Sequence, residues 1–172
     1  MTVSSLAVQI AAPTQHVREL VCTYRPLRDA SGRIIDSPAL SLSTPRTAAV
    51  ALAPLITDQV VEVFGVACVS TRLHLLAWHI LSRGTRSGTS VSMPDVFVPA
   101  CVVPGTTGVI VLHNHPSGDP TPSADDIALT KRLQSAGEVL DIPLLDHLIV
   151  GEGGRYYSFR ERGQIDALRS RT

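Results

Sequence analysis

The sequence predicts an α/β protein, built as a three-layer α/β/α sandwich around a mixed sheet. The first observation is that short apolar runs of strand length recur along the chain, at residues 60–69, 73–81, 108–112 and 144–150. The second is that segments with helical signals separate these runs, and the clearest of them extends from Ser123 to about Leu140. Strands that alternate with helices are typical of a sheet covered by helices on both faces.

Residues 1–43 are predicted to form a short N-terminal arm. The first 17 residues are mostly small or polar and include Pro13, so we expect a loosely ordered start. A strand is predicted at about 17–26. The turn sequence Asp29-Ala30-Ser31-Gly32 would then let Arg33-Ile34-Ile35 pair back as a β-hairpin.

The predicted domain covers residues 44–163 and begins with a helix. Thr44 suits the N-cap position, and Pro45 suits the first helical position because its missing N–H would have no intrahelical partner there. The helix is expected to extend to about Asp58. Pro54 should kink it or end it near its last turn.

Two strands and a second helix are predicted next. The runs at 60–69 and 73–81 are expected to be strands joined by a turn at 71–72. A short helix is expected within 94–103, where Pro99 would be tolerated only in the first turn.

The second half alternates strand, helix and strand. Residues 108–112 predict a short buried strand, and the helix that follows carries apolar residues at spacings of four, three and four, namely Leu129, Leu133, Ala136 and Leu140. We expect these residues to form one buried stripe. Pro143 stops the helix, 144–150 is a buried strand, 156–159 is a short final strand, and 164–172 is an exposed tail.

Composition and charge bound the function classes. The 172 residues include 15 basic and 15 acidic side chains, so the net charge is zero and gives no overall electrostatic attraction to nucleic acid or to an acidic membrane. Cys22, Cys68 and Cys101 are widely spaced and are expected to be reduced thiols. No run approaches the ~18 apolar residues of a membrane span, and no signal-peptide pattern opens the chain. We therefore expect a cytoplasmic protein with no membrane partner.

The chemistry is concentrated where the 108–112 strand ends. Side chains of a strand alternate between faces, so His113 and His115 should lie side by side while Asn114 faces away. Pro116 takes the chain out of the sheet, and Asp126 returns on the first turn of the next helix. Two imidazoles and one carboxylate with an open fourth position suit a catalytic zinc ion, although the same ligands also suit non-haem iron.

Ser123 and Asp126 have a second interpretation. Ser-x-x-Asp at a helix start resembles a capping box, in which both side chains only satisfy backbone N–H groups. The sequence alone does not separate a ligand from a cap. Capping does not, however, explain the two histidines just upstream.

A metal-activated water also needs a base. Glu62 is the only acid in the apolar run at 60–69, where an unpaired buried carboxylate would be costly. Glu62 is either that base or a solvent-facing residue at the start of the strand. His79 is expected at a half-exposed edge position, and Asp146-His147 is either a core hydrogen-bonded pair or a pair that orients the metal ligands.

The stretch from His113 to Ser123, followed by Asp126, closely resembles the signature of RadC-like proteins in the JAB/JAMM (MPN-type) metalloprotease superfamily. Its residues are His113-Asn114-His115-Pro116-Ser117-Gly118-Asp119-Pro120-Thr121-Pro122-Ser123. The similarity continues through Leu129-Thr130-Lys131-Arg132-Leu133, Leu145-Asp146-His147 and Tyr157-Ser158-Phe159, and covers about residues 44–163.

The resemblance implies a cytidine-deaminase-like fold and a Zn2+ ion held by His113, His115 and Asp126, with water in the fourth position. It implies Glu62 as the general base and Ser123 as the residue that stabilises the oxyanion. Characterised JAMM relatives cleave peptide or isopeptide bonds. The leading hypothesis is therefore a zinc-dependent hydrolase that acts on a protein or peptide.

Two other hypotheses stay open. One is a non-catalytic MPN-type scaffold that binds a protein partner, and the other is a DNA-repair accessory, after the family's historical label. The chain departs from the family at Ser70, at His79 and at Met93-Pro94-Asp95, which concern the substrate-facing surface. The arm is too short for the helix-hairpin-helix DNA-binding domain of many family members, and the oligomeric state is left open.

Overall fold

A mixed β-sheet forms the middle layer of the fold. The computed structural model describes residues 25–28, 32–34, 40–56, 60–84 and 91–165. Within these ranges five strands lie in the order β2-β1-β3-β4-β5. Their bounds are Val63–Val69 (β1), Leu75–Arg83 (β2), Gly108–Asn114 (β3), Leu144–Val150 (β4) and Tyr156–Ser158 (β5).

Strand directions make the sheet mixed, as predicted. β1 is antiparallel to both β2 and β3, and β4 is antiparallel to β5. β3 and β4 are parallel, and the chain crosses between them through a helix, α3 (Ala124–Val139). A parallel pair needs such a crossover because a tight turn cannot return the chain to the same end.

Helices cover both faces of the sheet. The alternate residues Val109 and Val111 of β3 pack in one core with residues of α3 and of α2 (Met93–Val102). Ile110 and Leu112 point the other way and pack in a second core with α1 (Pro45–Leu52). The three-layer α/β/α sandwich is confirmed, with α1 on one face and α2 and α3 on the other.

α1 begins as predicted and ends earlier than predicted. The Thr44 hydroxyl accepts a hydrogen bond from the Thr47 N–H at 3.1 Å, and Pro45 occupies the first turn. The α-helical geometry stops at Leu52, and Pro54 lies in the 3-10 turn Ala53–Leu55. The proline removes one backbone donor and ends the regular helix, although the sequence predicts a helix to about Asp58.

The prediction for Pro99 is wrong. α2 starts at Met93 behind an N-cap Ser92, so Pro99 lies well inside the helix. Pro99 has no N–H to donate to the Asp95 carbonyl, yet the helix continues and the Val103 N–H donates to the Pro99 carbonyl at 3.1 Å. Burial of this helix against the sheet offsets the missing hydrogen bond, which costs ~3 kcal/mol in an isolated helix.

α3 follows the predicted bounds, but its buried stripe is shorter than predicted. Leu133 is fully buried, and Leu129 and Ala136 pack partly against the same core. Leu140 is exposed because the helix ends at Val139 and Leu140 is its C-cap. Gly137 takes the last inward position, where an added Cβ would lie 2.7 Å from the Ile142 carbonyl oxygen.

The ends of the described chain differ in part from the predictions. Arg28 and Ile34 form an isolated antiparallel bridge, while most of the predicted hairpin, namely its strand up to residue 24, residues 29–31 and Ile35, lies outside the described residues. Ile165 is buried in the core although the tail was predicted to be exposed from residue 164, and 166–172 lie outside the described residues. None of the helices in the described ranges combines the length and the apolar character that a membrane span requires.

Candidate metal centre

Three potential ligand side chains meet at the carboxyl end of β3. The Nε2 atoms of His113 and His115 are 3.0 Å apart, and Asp126 Oδ1 lies 3.2 Å from His113 Nε2. Asp126 Oδ2 lies 3.6 Å from His115 Nε2. The donor atoms of the three residues all fall within 4.8 Å of one another, so a single ion would be within reach of all three.

The local sequence explains this convergence. His113 continues the face of β3 that packs against α2 and α3, and His115 follows two residues later. The backbone N–H of His115 donates to Val150 O at 3.0 Å, which holds the start of the loop beside β4. Gly118, at φ +79°, then turns the chain, and Asp119 Oδ1 accepts hydrogen bonds from the Thr121 N–H and hydroxyl.

Asp126 is both a cap and a potential ligand. Its Oδ2 accepts hydrogen bonds from the Ser123 backbone N–H at 2.7 Å and from the Ser123 hydroxyl at 2.6 Å, while its Oδ1 faces His113. The two interpretations of Ser-x-x-Asp are therefore compatible. Burial acts to raise the pKa of Asp126, but hydrogen bonds with His113 and His115 outweigh it and hold the pKa below its ordinary value.

A hydrogen bond at Nδ1, the ring nitrogen that does not face the other two candidate ligands, orients His115. Nδ1 lies 2.8 Å from the Asp119 carbonyl oxygen, and the ring is partly exposed. Contact with the Asp126 carboxylate raises the pKa of His115, and the charge of Glu62 adds to this effect. A carboxylate that lies beside two imidazoles favours a positive ion among them.

His113 is fully buried and is held by two other buried groups. Its Nδ1 lies 3.0 Å from His147 Nε2, and His147 Nδ1 lies 2.7 Å from the Thr130 hydroxyl. Phe64 stacks on the His113 ring, and Phe159 stacks on the His147 ring. Sequence reasoning left the role of His147 open and missed Thr130, whose signal is a polar residue one helical turn after Asp126 on the inward face of α3.

Glu62 lies immediately before β1 and is partly buried. The side chain of Asn114 brackets it: Oδ1 accepts a hydrogen bond from the Val63 N–H at 2.8 Å, and Nδ2 donates to the Val61 carbonyl at 3.1 Å. Asn114 does face away from the histidines, as predicted. Its link to Glu62 was missed because the two residues are far apart in sequence.

Other candidate residues lie apart from the three ligands. His79 is exposed on β2 and pairs with Val66 of β1, as expected for an edge position. The side chain of Asp146 does not bond to that of His147; it accepts hydrogen bonds from the Ser158 hydroxyl at 2.7 Å and from the Arg160 N–H at 3.0 Å. Only the histidine of this pair joins the candidate metal centre.

The donor set fits the predicted ion. Two imidazole nitrogens and one carboxylate oxygen are a ligand set of catalytic zinc sites, in which the fourth position stays open. His113 is buried while His115 and Asp126 are partly exposed, so the centre is reachable from one side. Each imidazole also contacts a further group through its second nitrogen, as metal-binding histidines usually do.

Comparisons with known proteins agree with this architecture. Residues 42–164 match a family model described as the RadC-like JAB domain. A UPF0758 protein of Thermotoga maritima is 45% identical over 104 residues, which are 60% of this chain and 46% of that protein. A UPF0758 protein of Symbiobacterium thermophilum is 42% identical over 126 residues, which are 73% of this chain and 53% of that protein.

A UPF0758 protein of Methanosarcina barkeri is more distant, at 34% identity over 131 residues, which are 76% of this chain and 56% of that protein. The chain spans about half the length of the curated relatives it matches. Since the family model covers well over half of the sequence, the resemblance inferred from the stretch between His113 and Asp126 is confirmed: the chain belongs to the family of RadC-like JAB domains.

Proposed function

We propose that this chain is a zinc-dependent hydrolase that cleaves a peptide or isopeptide bond with a metal-activated water. The observation that carries the proposal is the convergence of His113, His115 and Asp126 beside the charge of Glu62. When Zn2+ is bound by these three ligands, it supplies Lewis acidity to a substrate carbonyl and to water.

Glu62 is the proposed general base. It takes the proton of the attacking water and returns it to the leaving nitrogen. The hydrogen bonds of the Asn114 side chain to Val61 and Val63 hold the backbone on both sides of Glu62. The Glu62 carbonyl also accepts a hydrogen bond from the Gly84 N–H at 2.7 Å. A backbone held at three points limits where the carboxylate can move.

Ser123 is the proposed hydrogen-bond donor to the oxyanion. In this structure its single hydroxyl hydrogen points to Asp126 Oδ2, and its oxygen accepts from the Asp126 N–H at 3.1 Å. Donation to a substrate therefore requires the O–H to turn away from Asp126. We propose that Ser123 orients the carboxylate before substrate binds and donates to the substrate afterwards.

A neighbouring cleft supports a substrate of peptide size. It has a volume of about 730 Å3 and lies between α1 and the loop after β4, with Arg46, His115, Arg155 and Tyr156 in its lining. Clefts of this volume bury most of a small ligand. Because His115 lines the cleft and is also a proposed ligand, an extended chain held there would lie beside the metal.

The test combines metal analysis with hydrolysis. The protein is stripped with a chelator, reloaded with Zn2+ or Fe2+, and assayed on a panel of peptides and isopeptide-linked conjugates. We expect stoichiometric zinc, turnover that requires it, and a loss of ~100-fold or more in Glu62→Gln with zinc retained. Glu138→Gln removes an exposed carboxylate from α3 and serves as the matched control.

Each other outcome assigns a different role. A protein that binds no stoichiometric metal refutes the proposal. Zinc without turnover on the whole panel, and loss of stability on chelation, would instead indicate the non-catalytic scaffold. Full activity in Glu62→Gln would refute the general base, and DNA binding that weakens with salt would indicate the DNA accessory.

A further inference from the structure

We propose that Thr130 and His147 are positioning residues which fix the tautomer of His113 and thereby set the affinity for metal. The proposal rests on the proposed metal-dependent function. Neither residue is one of the three potential ligands, and both are almost completely buried, at 2% and 0% exposure. Their hydrogen bonds form a chain from α3 through β4 to the ligand on β3.

The direction of each hydrogen bond follows from the Thr130 hydroxyl. Its oxygen lies 2.6 Å from the Asp126 carbonyl oxygen and 2.7 Å from His147 Nδ1. A carbonyl oxygen only accepts, so the single hydroxyl hydrogen is donated to Asp126. The hydroxyl oxygen must then accept from His147, and the hydrogen of that ring lies on Nδ1.

The tautomer of His147 in turn determines the tautomer of His113. Its ring is fully buried with Phe159 stacked on it, and its two nitrogens face the Thr130 hydroxyl and His113 Nδ1. A neutral imidazole with its hydrogen on Nδ1 accepts at Nε2. His113 therefore donates from Nδ1, at 3.0 Å, and its Nε2 carries a lone pair.

That lone pair points into the metal centre. His113 Nε2 faces His115 Nε2 at 3.0 Å and Asp126 Oδ1 at 3.2 Å. His115 reaches the same state independently, because its Nδ1 donates to the Asp119 carbonyl at 2.8 Å. With both rings neutral, two lone pairs and a carboxylate at these distances repel one another unless a proton or a metal ion lies among them, so the hydrogen-bond chain prepares the site for a cation.

The chain of hydrogen bonds also connects His113 to the backbone of Asp126. Thr130 lies one helical turn after Asp126 and bonds to the backbone of that ligand. The chain thus runs from His113 through His147 and Thr130 to the Asp126 backbone, and the Asp126 carboxylate faces His113 across the metal centre. Without the Thr130 hydroxyl, nothing in this chain keeps the hydrogen of His147 on Nδ1. The alternative tautomer would place a hydrogen on His113 Nε2, where it blocks the metal.

The test compares Thr130→Val with Thr130→Ser in the full chain. Valine keeps the shape and removes the hydroxyl, whereas serine keeps the hydroxyl. Zinc affinity is measured by competition with a chromophoric chelator, and histidine tautomers are assigned by long-range 1H–15N NMR. We expect a ~10–100-fold loss of zinc affinity in Thr130→Val, with affinity restored to within a few-fold in Thr130→Ser.

Thr106→Val is the control for a merely structural effect. The Thr106 hydroxyl is also partly buried and donates to a backbone carbonyl, that of Val103 at 2.8 Å, but Thr106 is not one of the site residues. We expect Thr106→Val to lose stability without losing zinc affinity. If folded Thr130→Val binds zinc as tightly as the unmodified protein, the proposal is refuted.

The NMR measurement of histidine tautomers tests this proposal separately from the proposed function. If the unmodified protein binds no zinc, the proposed function fails, but the tautomer of His147 in the metal-free protein still tests the proposed chain of hydrogen bonds. A His147 signal with the hydrogen on Nε2 overturns the proposal, even if Thr130→Val does not fold. A hydrogen on Nδ1 that is lost or redistributed in Thr130→Val supports it.

Discussion

Replacement of Asn114 by alanine tests how the Glu62 segment is held. The Asn114 side chain makes two hydrogen bonds to the backbone, to the Val63 N–H and to the Val61 carbonyl. The two partners differ in their environment. Val63 is fully buried, so its N–H has no access to water once the side chain is removed, while Val61 is 38% exposed and its carbonyl can be hydrated.

The expected loss follows from this difference. A buried donor left without a partner costs ~1–3 kcal/mol, and a solvated acceptor costs little. We therefore expect Asn114→Ala to lower the free energy of unfolding by ~2 kcal/mol. Asn114→Asp keeps an acceptor for the Val63 N–H but loses the donor to Val61, so it should lose less at the backbone.

Denaturant unfolding at fixed zinc concentration measures the effect. Ser135→Ala, on the exposed surface of α3, is the control and should stay within ~0.5 kcal/mol of the unmodified protein. If Asn114→Ala loses no more free energy of unfolding than the control, the Asn114 side chain does not hold the backbone around Glu62, and the reasoning is refuted. Zinc affinity is expected to be nearly unchanged, because Asn114 points away from the ligands.

Two further predictions concern groups outside the metal centre. Burial raises the pKa of Asp146 from 3.8 to about 6, so the folded state holds a proton that the unfolded state releases. The free energy of unfolding should therefore fall by up to ~3 kcal/mol as pH rises through this window. Asp146→Asn should remove that part of the pH dependence when unfolding is measured from pH 3.5 to 7. A pH dependence that is unchanged in Asp146→Asn would contradict the assignment. An added Cβ at Gly65 would lie 2.3 Å from the Trp78 ring, so Gly65→Ala should cost ~1–3 kcal/mol and shift the fluorescence of the only tryptophan. Unchanged emission and stability would show that the ring does not pack on Gly65.

The candidate metal centre depends on several elements of the fold. β3 supplies His113, the loop after it supplies His115, and α3 supplies Asp126. β4 adds His147, and the segment before β1 adds Glu62. Since Asp126 is on α3 and the two histidines follow β3, small shifts of α3 relative to the sheet would change the distances from Asp126 to both histidines.

The sequence by itself determined most of the framework. Apolar runs of strand length and the capping signals at Thr44 and Ser123 predicted four of the strands and two helix starts, because these signals act within a few residues. The period of two in a strand was enough to place His113 and His115 on one side and Asn114 on the other. Local geometry therefore predicted which three side chains meet at the candidate metal centre.

Local signals failed where packing outweighed them. Pro99 lies inside α2 because the face that carries Val96, Phe97 and Ala100 is buried, which outweighs one missing backbone hydrogen bond. Leu140 continues the apolar spacing of α3 but is exposed, since the helix ends before it. A pattern of residues gives the period of an element and does not give the surface that it meets.

Only the tertiary structure decided how the candidate ligands and Glu62 are held. Asn114 reaches the backbone on both sides of Glu62, more than 50 residues earlier, and His147 reaches His113, 34 residues earlier. The tertiary structure also gives the side chains of His147 and Asp146 different partners, although the sequence presents them as a pair. Such hydrogen bonds join elements that the sheet order brings together. They depend on strand neighbours and register, for which spacing along the chain carries no signal.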